Sequence, residues 1–311
     1  MHFQVIGILV LIFFITSTVH AYDGPVFDAM AQIDEKSGFD KSIKRAKEAG
    51  VAKVALFARS RKYLGQNEDE LIRLRRKHPD FVILGSPKYF LLRDDLDKKY
   101  IQRTVNHITE NNYLFVGEIL YTHGDKSHGK QTTRGEKYID PLGHGTIELL
   151  SKIKKLNIPI MTHWEVYEWE RDWPKFSHLY SSHPNMRFII PHMAFGTPEQ
   201  VNLILSKHPN VYMTISKKRK KNSSYSDTNK SSKIGSGFLD DEGMIKKEWL
   251  EILVKYSDRL MFATDAHKKH RWKKYKKLIK RYRDMVDQLP IAVVEKISYK
   301  NAELMYGVLI D

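Results

Sequence analysis

From residue 26 to the C-terminus, eight short apolar runs recur, each separated from the next by enough chain for an amphipathic helix; nothing else in the sequence narrows the fold as far. The runs are Val26–Ala29, Val51–Ala58, Phe81–Gly85, Tyr113–Ile119, Ile158–Thr162, Arg187–Pro191, Asn210–Ile215 and Arg259–Thr264. They are continuous stretches of Val, Ile, Leu and Phe rather than strict alternators, the pattern of strands covered on both faces. Parallel neighbours need a long crossover, usually a helix, and the intervening segments supply it. The repeat predicts an α/β chain folded as a single (β/α)8 TIM barrel over residues 22–311, with room for local distortion.

Helix ends are legible too. Thr197-Pro198-Glu199-Gln200 offers an N-cap, a proline at the first helical position and a capping-box Gln. Gly50 follows a helix carrying Phe39, Ile43 and Ala46. The phrases Lys77-His78-Pro79-Asp80, Ser182-His183-Pro184-Asn185 and Lys207-His208-Pro209-Asn210 each precede a strand, which gives His78, His183 and His208 a structural role. Two stretches interrupt the rhythm. Tyr121–Gly145 follows the fourth strand and should lie over the catalytic face; Lys217–Ser236 follows the seventh and is Ser/Asn/Lys-rich.

The N-terminus has an apolar run, Val5–Ile15, and ends in Val19-His20-Ala21, the form of a secretory signal peptide over residues 1–21. A periplasmic or secreted chain is expected, or an N-terminally anchored one if the segment is kept. The absence of Cys excludes disulfides, thiolate metal ligands, Cys nucleophiles and a lipoprotein anchor. The net charge of +15 is spread over many predicted helices, so it reads as a solvated surface rather than a nucleic-acid footprint. One basic segment, Lys268–Arg283, also carries Trp272, Tyr275, Leu278, Ile279 and Tyr282 at helical spacing, the pattern of an outer helix with a buried stripe.

Barrels of this type carry their chemistry where strands end. Reading off those positions gives Asp28 and Gln32 after the first run, Arg59 after the second, Glu118 after the fourth, His163 and Glu165 after the fifth, His192 after the sixth and Asp265 with His267 after the eighth. One Glu, two His and one Asp from different strands are the N and O donors that suit zinc or another divalent metal. Arg59, Lys88, Tyr121, His123, Trp164 and His267 are candidate substrate contacts around that centre. Arg59 and Lys88 suit a carboxylate or phosphate, whereas Trp164 either walls the pocket or packs beneath the next loop.

These pieces resemble the amidohydrolase superfamily, in particular its amidohydrolase-related branch of metal-dependent hydrolases and decarboxylases. The resemblance rests on Phe27-Asp28-Ala29, Ile158-Pro159-Ile160-Met161-Thr162-His163, Phe188-Ile189-Ile190-Pro191-His192, Asp258-Arg259-Leu260-Met261-Phe262-Ala263-Thr264-Asp265 and Asn301-Ala302-Glu303-Leu304-Met305-Tyr306-Gly307. It implies a metal site made by Glu118, His163 and His192, with Asp265 as the catalytic proton acceptor. The implied reaction is cleavage of an ester, lactone or amide by metal-activated water, or a decarboxylase variant of it. One divalent ion is implied, zinc with iron or manganese as alternatives, together with a small-molecule substrate, anionic if Arg59 and Lys88 meet it, and a homodimer. The chain departs from the family at the Asp-x-His-x-His pattern, where Met30 and Gln32 replace both histidines. A thioether does not replace imidazole on zinc. The alternative is therefore a pseudoenzyme, a metal-free barrel in which Glu118 is a buried acid paired with Arg59 or a Lys and which binds a small anion without turning it over.

Overall fold

The computed structural model describes residues 21–59, 67–88, 95–124, 137–216 and 237–310. Most of the signal-like segment, the middle of the Tyr121–Gly145 insertion and the Lys217–Ser236 insertion lie outside the described residues. In chain order the elements are β1 (Phe27–Ile33), α1 (Phe39–Glu48), β2 (Lys53–Ala58), α2 (Glu68–Lys77), β3 (Val82–Leu84), α3 (Lys98–Asn111), β4 (Val116–Leu120), a small hairpin of β5 (Thr122–His123) and β6 (Lys137–Tyr138), and α4 (His144–Ile153). They continue with β7 (Ile160–His163), α5 (Trp169–Ser182), β8 (Phe188–Ile190), α6 (Pro198–Lys207), β9 (Val211–Ile215), α7 (Lys247–Lys255), β10 (Leu260–Phe262), α8 (Lys269–Lys273), α9 (Tyr275–Val286), α10 (Ile291–Glu295) and α11 (Asn301–Tyr306).

All eight expected strands are present and every pairing between them is parallel: β1-β2-β3 form one ladder and β4-β7-β8-β9-β10 another. A parallel bridge between Gly85 and Phe115 joins the two ladders on one side. On the other side Asp265 N–H donates to the Met30 carbonyl (3.0 Å) and Gln32 N–H to the Ala266 carbonyl (2.8 Å), so the sheet closes on itself. The (β/α)8 barrel is distorted at two places. The registers of β1 and β4 both slip, between Asp28 and Ala31 and between Val116 and Ile119. Such bulges re-aim side chains next to functional sites, and these two strands deliver Gln32 and Glu118.

Two apolar layers hold the barrel. Inside it, Phe27, Met30, Phe57, Phe115, Met161, Ile189 and Met261 pack together, and Met305 and Tyr306 of α11 join them. Met30 is completely buried in this interior. Its thioether fills the core. Between strands and helices lies a larger layer that includes Trp164, Phe176, Tyr180 and Trp272. The basic segment splits into α8 and α9, with Trp272, Tyr275, Ile279 and Tyr282 buried as the stripe requires and Leu278 only partly so. The capping box at Thr197 forms as the sequence indicates, with Gln200 N–H donating to Thr197 Oγ1 at 3.3 Å. The β5–β6 hairpin had no counterpart among the expected strands, because strands of two residues carry no periodicity to read.

Asp28, fully buried at the seam, ties β1 to β10 and α9. Its carboxylate accepts from Thr264 N–H (2.8 Å), the Thr264 hydroxyl, Tyr275 O–H (2.6 Å) and Met30 N–H (3.3 Å). Burial still pushes its pKa up from 3.8 to about 6 against those donors. An acid whose folded value is raised favours folding fully below its unfolded value, and that contribution is lost as pH rises through the folded value. The unfolding temperature of the wild type, measured against Asp28→Asn as reference, should therefore fall as pH rises from 3.8 through about 6. Parallel profiles for the two proteins would contradict this.

Candidate active site

The C-terminal ends of β4, β7, β8 and β10 bring Glu118, His163, His192 and Asp265 together in the barrel mouth, all four buried. His163 stands at the centre. Its Nδ1 is 2.6 Å from Glu118 Oε1, and its Nε2 is 3.2 Å from Glu165 Oε1. The His192 ring meets the His163 ring edge to face at 5.5 Å. Burial disfavours a charged imidazole, but the Glu118 carboxylate, helped by Glu165, overrides it and raises the His163 pKa. For Glu118, burial raises the pKa, and the Lys88 ammonium followed by His163 pull it well below the ordinary carboxylate range.

Glu118 is held in place by the backbone around it. Gly117 sits so close to β3's exit that a Cβ there would lie 1.9 Å from the Ser86 carbonyl oxygen, and Gly117 N–H donates to Ser86 Oγ at 3.0 Å. On its far side, Glu118 Oε2 receives the Lys88 ammonium and, at 3.4 Å, the Gln32 amide. The same Gln32 amide donates to Asp265 Oδ1 at 3.0 Å. Gln32 therefore links the two carboxylates.

His192 lies in a left-handed turn. His192, Met193, Ala194 and Phe195 have φ of 60°, 49°, 55° and 52°, a region that costs an L-residue roughly 1 kcal/mol or more. Thr214 accepts the His192 N–H at 3.1 Å, and Ser216 hydrogen-bonds its Nδ1, which fixes the ring. Asp265 is also left-handed, with φ 46°. Beyond Gln32, its carboxylate faces His267 Nδ1 at 3.2 Å, Arg271 Nη1 at 3.3 Å and His192 at 3.9 Å.

The expected substrate contacts divide. His123 and His267 sit at the mouth and are partly exposed. Lys88 is in the site as the counter-ion of Glu118, and Arg59 bridges the Asp34 carboxylate (3.6 Å) and the His267 carbonyl (2.8 Å). Tyr121 does not reach the mouth, and Trp164 takes the packing alternative: both are fully buried in the layer between strands and helices. Trp164 stacks on Phe176 at 4.4 Å and on Trp169 at 5.6 Å, and Tyr121 meets Phe176 edge-on at 5.8 Å. Strand alternation explains it. His163 and Glu165 share the barrel side, so Trp164 between them must face the helices. The same rule identifies Glu165, passed over as a site residue although it stands two places beyond His163. Arg271 had no such signal, being one cation among many on a basic segment.

Two sets of side chains offer ligand atoms within 4.8 Å of one another: Glu118, His163 and His192, and His123, His163 and Glu165. Imidazole nitrogens with a carboxylate oxygen fit a divalent cation in both.

The sequence profile of the amidohydrolase family matches residues 112–308, and the chain belongs to that family. No curated protein matches it. Among solved structures it is similar to a TIM-barrel protein from Bordetella bronchiseptica (10% identity, TM-score 0.60, 91% of this chain and 98% of that one). It is also similar to a putative 2-pyrone-4,6-dicarboxylic acid hydrolase from Pseudomonas putida (13%, 0.58, 91% and 97%) and to 2,6-dihydroxybenzoate decarboxylase from Rhizobium (11%, 0.53, 91% and 98%).

The Lys88–Glu118 pair makes a direct prediction. Lys88→Met strands a buried carboxylate and should cost about 2 kcal/mol of unfolding free energy, below the roughly 3–5 seen for such losses because His163 stays. Adding Glu118→Gln should restore most of it. Additive losses in the double variant, measured by denaturant titration, would count against the pair.

Proposed function

We propose that the chain is a metal-dependent hydrolase of the amidohydrolase type that cleaves an ester, lactone or amide bond in a small, anionic molecule. The observation that carries this reading is the convergence of Glu118, His163, His192 and Asp265 from four different strands on one buried point at the barrel mouth. His163 belongs to both candidate ligand sets, so it is the residue on which cation binding depends. When bound, a divalent ion, zinc before iron or manganese, supplies the Lewis acidity that polarises a carbonyl and acidifies a water.

The chain's own groups do the remainder. Asp265 takes the proton of the attacking water, its carboxylate kept in place by Gln32, Arg271 and His267. Asp265 then passes that proton to the leaving group, with His192 beside it at 3.9 Å. Burial of Asp265 and His192 keeps bulk water from competing. Arg59, Lys88 and Arg271 line the mouth, each paired with an acid of the protein, and an anionic substrate would have to share them with Asp34, Glu118 and Asp265. Two barrels of the same fold act, by their names, on ring carboxylates.

A second reading, a metal-free binding protein, draws on one specific observation: Lys88, His163 and Gln32 already satisfy Glu118 without any metal.

Protein purified without chelator is expected to carry about one divalent ion per chain, and His163→Ala to carry none. Asp265→Asn should lower kcat on a responsive lactone or ester by about 10²- to 10⁴-fold while KM changes little. A folded wild type that holds no metal and turns over nothing in such a panel would favour the binding reading.

A further inference from the structure

Resting on the reading that the chain takes a divalent cation, we infer that the ion is gripped by His123, His163 and Glu165, with Glu118 behind His163 rather than on the metal. The case begins with hydrogen bonds. Nδ1–H of His163 donates to Glu118 Oε1 at 2.6 Å, and Nδ1–H of His123 donates to the Gly124 carbonyl at 3.1 Å. Each ring thereby turns its Nε2 to the same carboxylate oxygen, Glu165 Oε1, at 3.2 Å from His163 and 3.9 Å from His123. A ligating histidine almost always gives its other N–H to a carboxylate or carbonyl, which fixes the tautomer and aims the ring. Both histidines here are already arranged so.

Spacing decides between the two sets. Ligands about 2.0–2.1 Å from a tetrahedral zinc stand about 3.3 Å apart. The Glu165–His163 separation of 3.2 Å meets that once the ion replaces the proton of this hydrogen bond, and His123 needs to close by roughly half an ångström. The Glu118–His163 separation of 2.6 Å is a hydrogen bond, and a shared ion would have to break it together with the Lys88–Glu118 ion pair. Leaving Glu118 where it is keeps both.

The supporting frame is also built. Glu165 N–H donates to Thr122 Oγ1 at 2.8 Å, the Thr122 hydroxyl donates back to the Glu165 carbonyl at 3.2 Å, and Gly124 N–H donates to Glu165 Oε2 at 2.9 Å. Thr122 and His123 are in turn paired with Tyr138 and Lys137 across the hairpin. The carboxylate and His123 are thus locked to each other before any ion arrives. Glu165 is buried, while the His123 side chain is 27% exposed, so the set opens to solvent on one side and gives an ion a way in. Three protein ligands leave a coordination position open, as in catalytic sites.

The test is a calorimetric titration of Zn²⁺ into chelator-stripped full-length chain, with bound zinc counted by elemental analysis and folding checked by circular dichroism. Glu165→Gln and His123→Ala should each weaken Zn²⁺ binding by at least about 100-fold, beyond the roughly 10- to 100-fold that loss of an outer partner costs, and His192→Ala should leave it within about threefold. Zn²⁺ lost from His192→Ala but kept by Glu165→Gln and His123→Ala would overturn the assignment and leave the metal reading standing. A folded wild type that takes up no Zn²⁺ would overturn the metal reading itself.

Discussion

A single imidazole clamped between two carboxylates sets the terms for the rest of this barrel mouth. His163 faces Glu118 through one nitrogen and Glu165 through the other, and it is 4% exposed. Two buried anions a few ångströms apart are costly unless cations or donors stand between and around them. The neighbouring groups answer that demand. Lys88 and Gln32 take the outer oxygen of Glu118, and backbone N–H takes that of Glu165. Asp265, the third acid, is met by Gln32, Arg271 and His267. The charges balance in place, and the His163 ring is the member whose proton a divalent cation can replace.

The barrel is shaped to hold that clamp. The strands that deliver Gln32 and Glu118 to the mouth, β1 and β4, each carry a slip of register, and Gly117 lets β4 approach Ser86 more closely than any side chain would allow. At β8 the chain enters a left-handed turn, accepting strain, and so brings His192 against His163 and Phe195. Strain of this kind persists only where surrounding contacts over-determine it, and Thr214 and Ser216 provide them. Opposite the mouth, Met305 and Tyr306 of the last helix reach into the barrel interior, with Tyr306 O–H bonded to the Ala29 carbonyl at 2.7 Å. Met30 helps fill that interior, so the first strand contributes packing there.

Much of this could be read in the residues alone, for reasons that separate what was visible from what was not. Continuous apolar runs mark strands covered on both faces, and all eight stood out. Glu118, His163, His192 and Asp265 were legible because a barrel exposes its functional side chains at one end of its strands. Alternation also foretold Glu165 and excluded Trp164, had it been applied one residue at a time along Thr162-His163-Trp164-Glu165. Tyr121 looked polar enough for a pocket, yet its ring turns to Phe176 under the helices. What no pattern revealed is pairing across the barrel. Which Lys should neutralise Glu118, that Gln32 should span two acids, and that Arg271 should reach Asp265 depend on the closed geometry. Arg59 and Lys88 illustrate the difference: both carry the charge the sequence advertised, and both spend it first on the protein's own groups.

The clamp can be observed directly. In chain labelled with ¹⁵N at histidine and freed of metal, long-range proton–nitrogen spectra near neutral pH should show both nitrogens of His163 protonated, and saturating zinc should remove the proton from Nε2 alone. A His163 that is a neutral imidazole without metal, or whose nitrogen signals ignore zinc, would contradict the account.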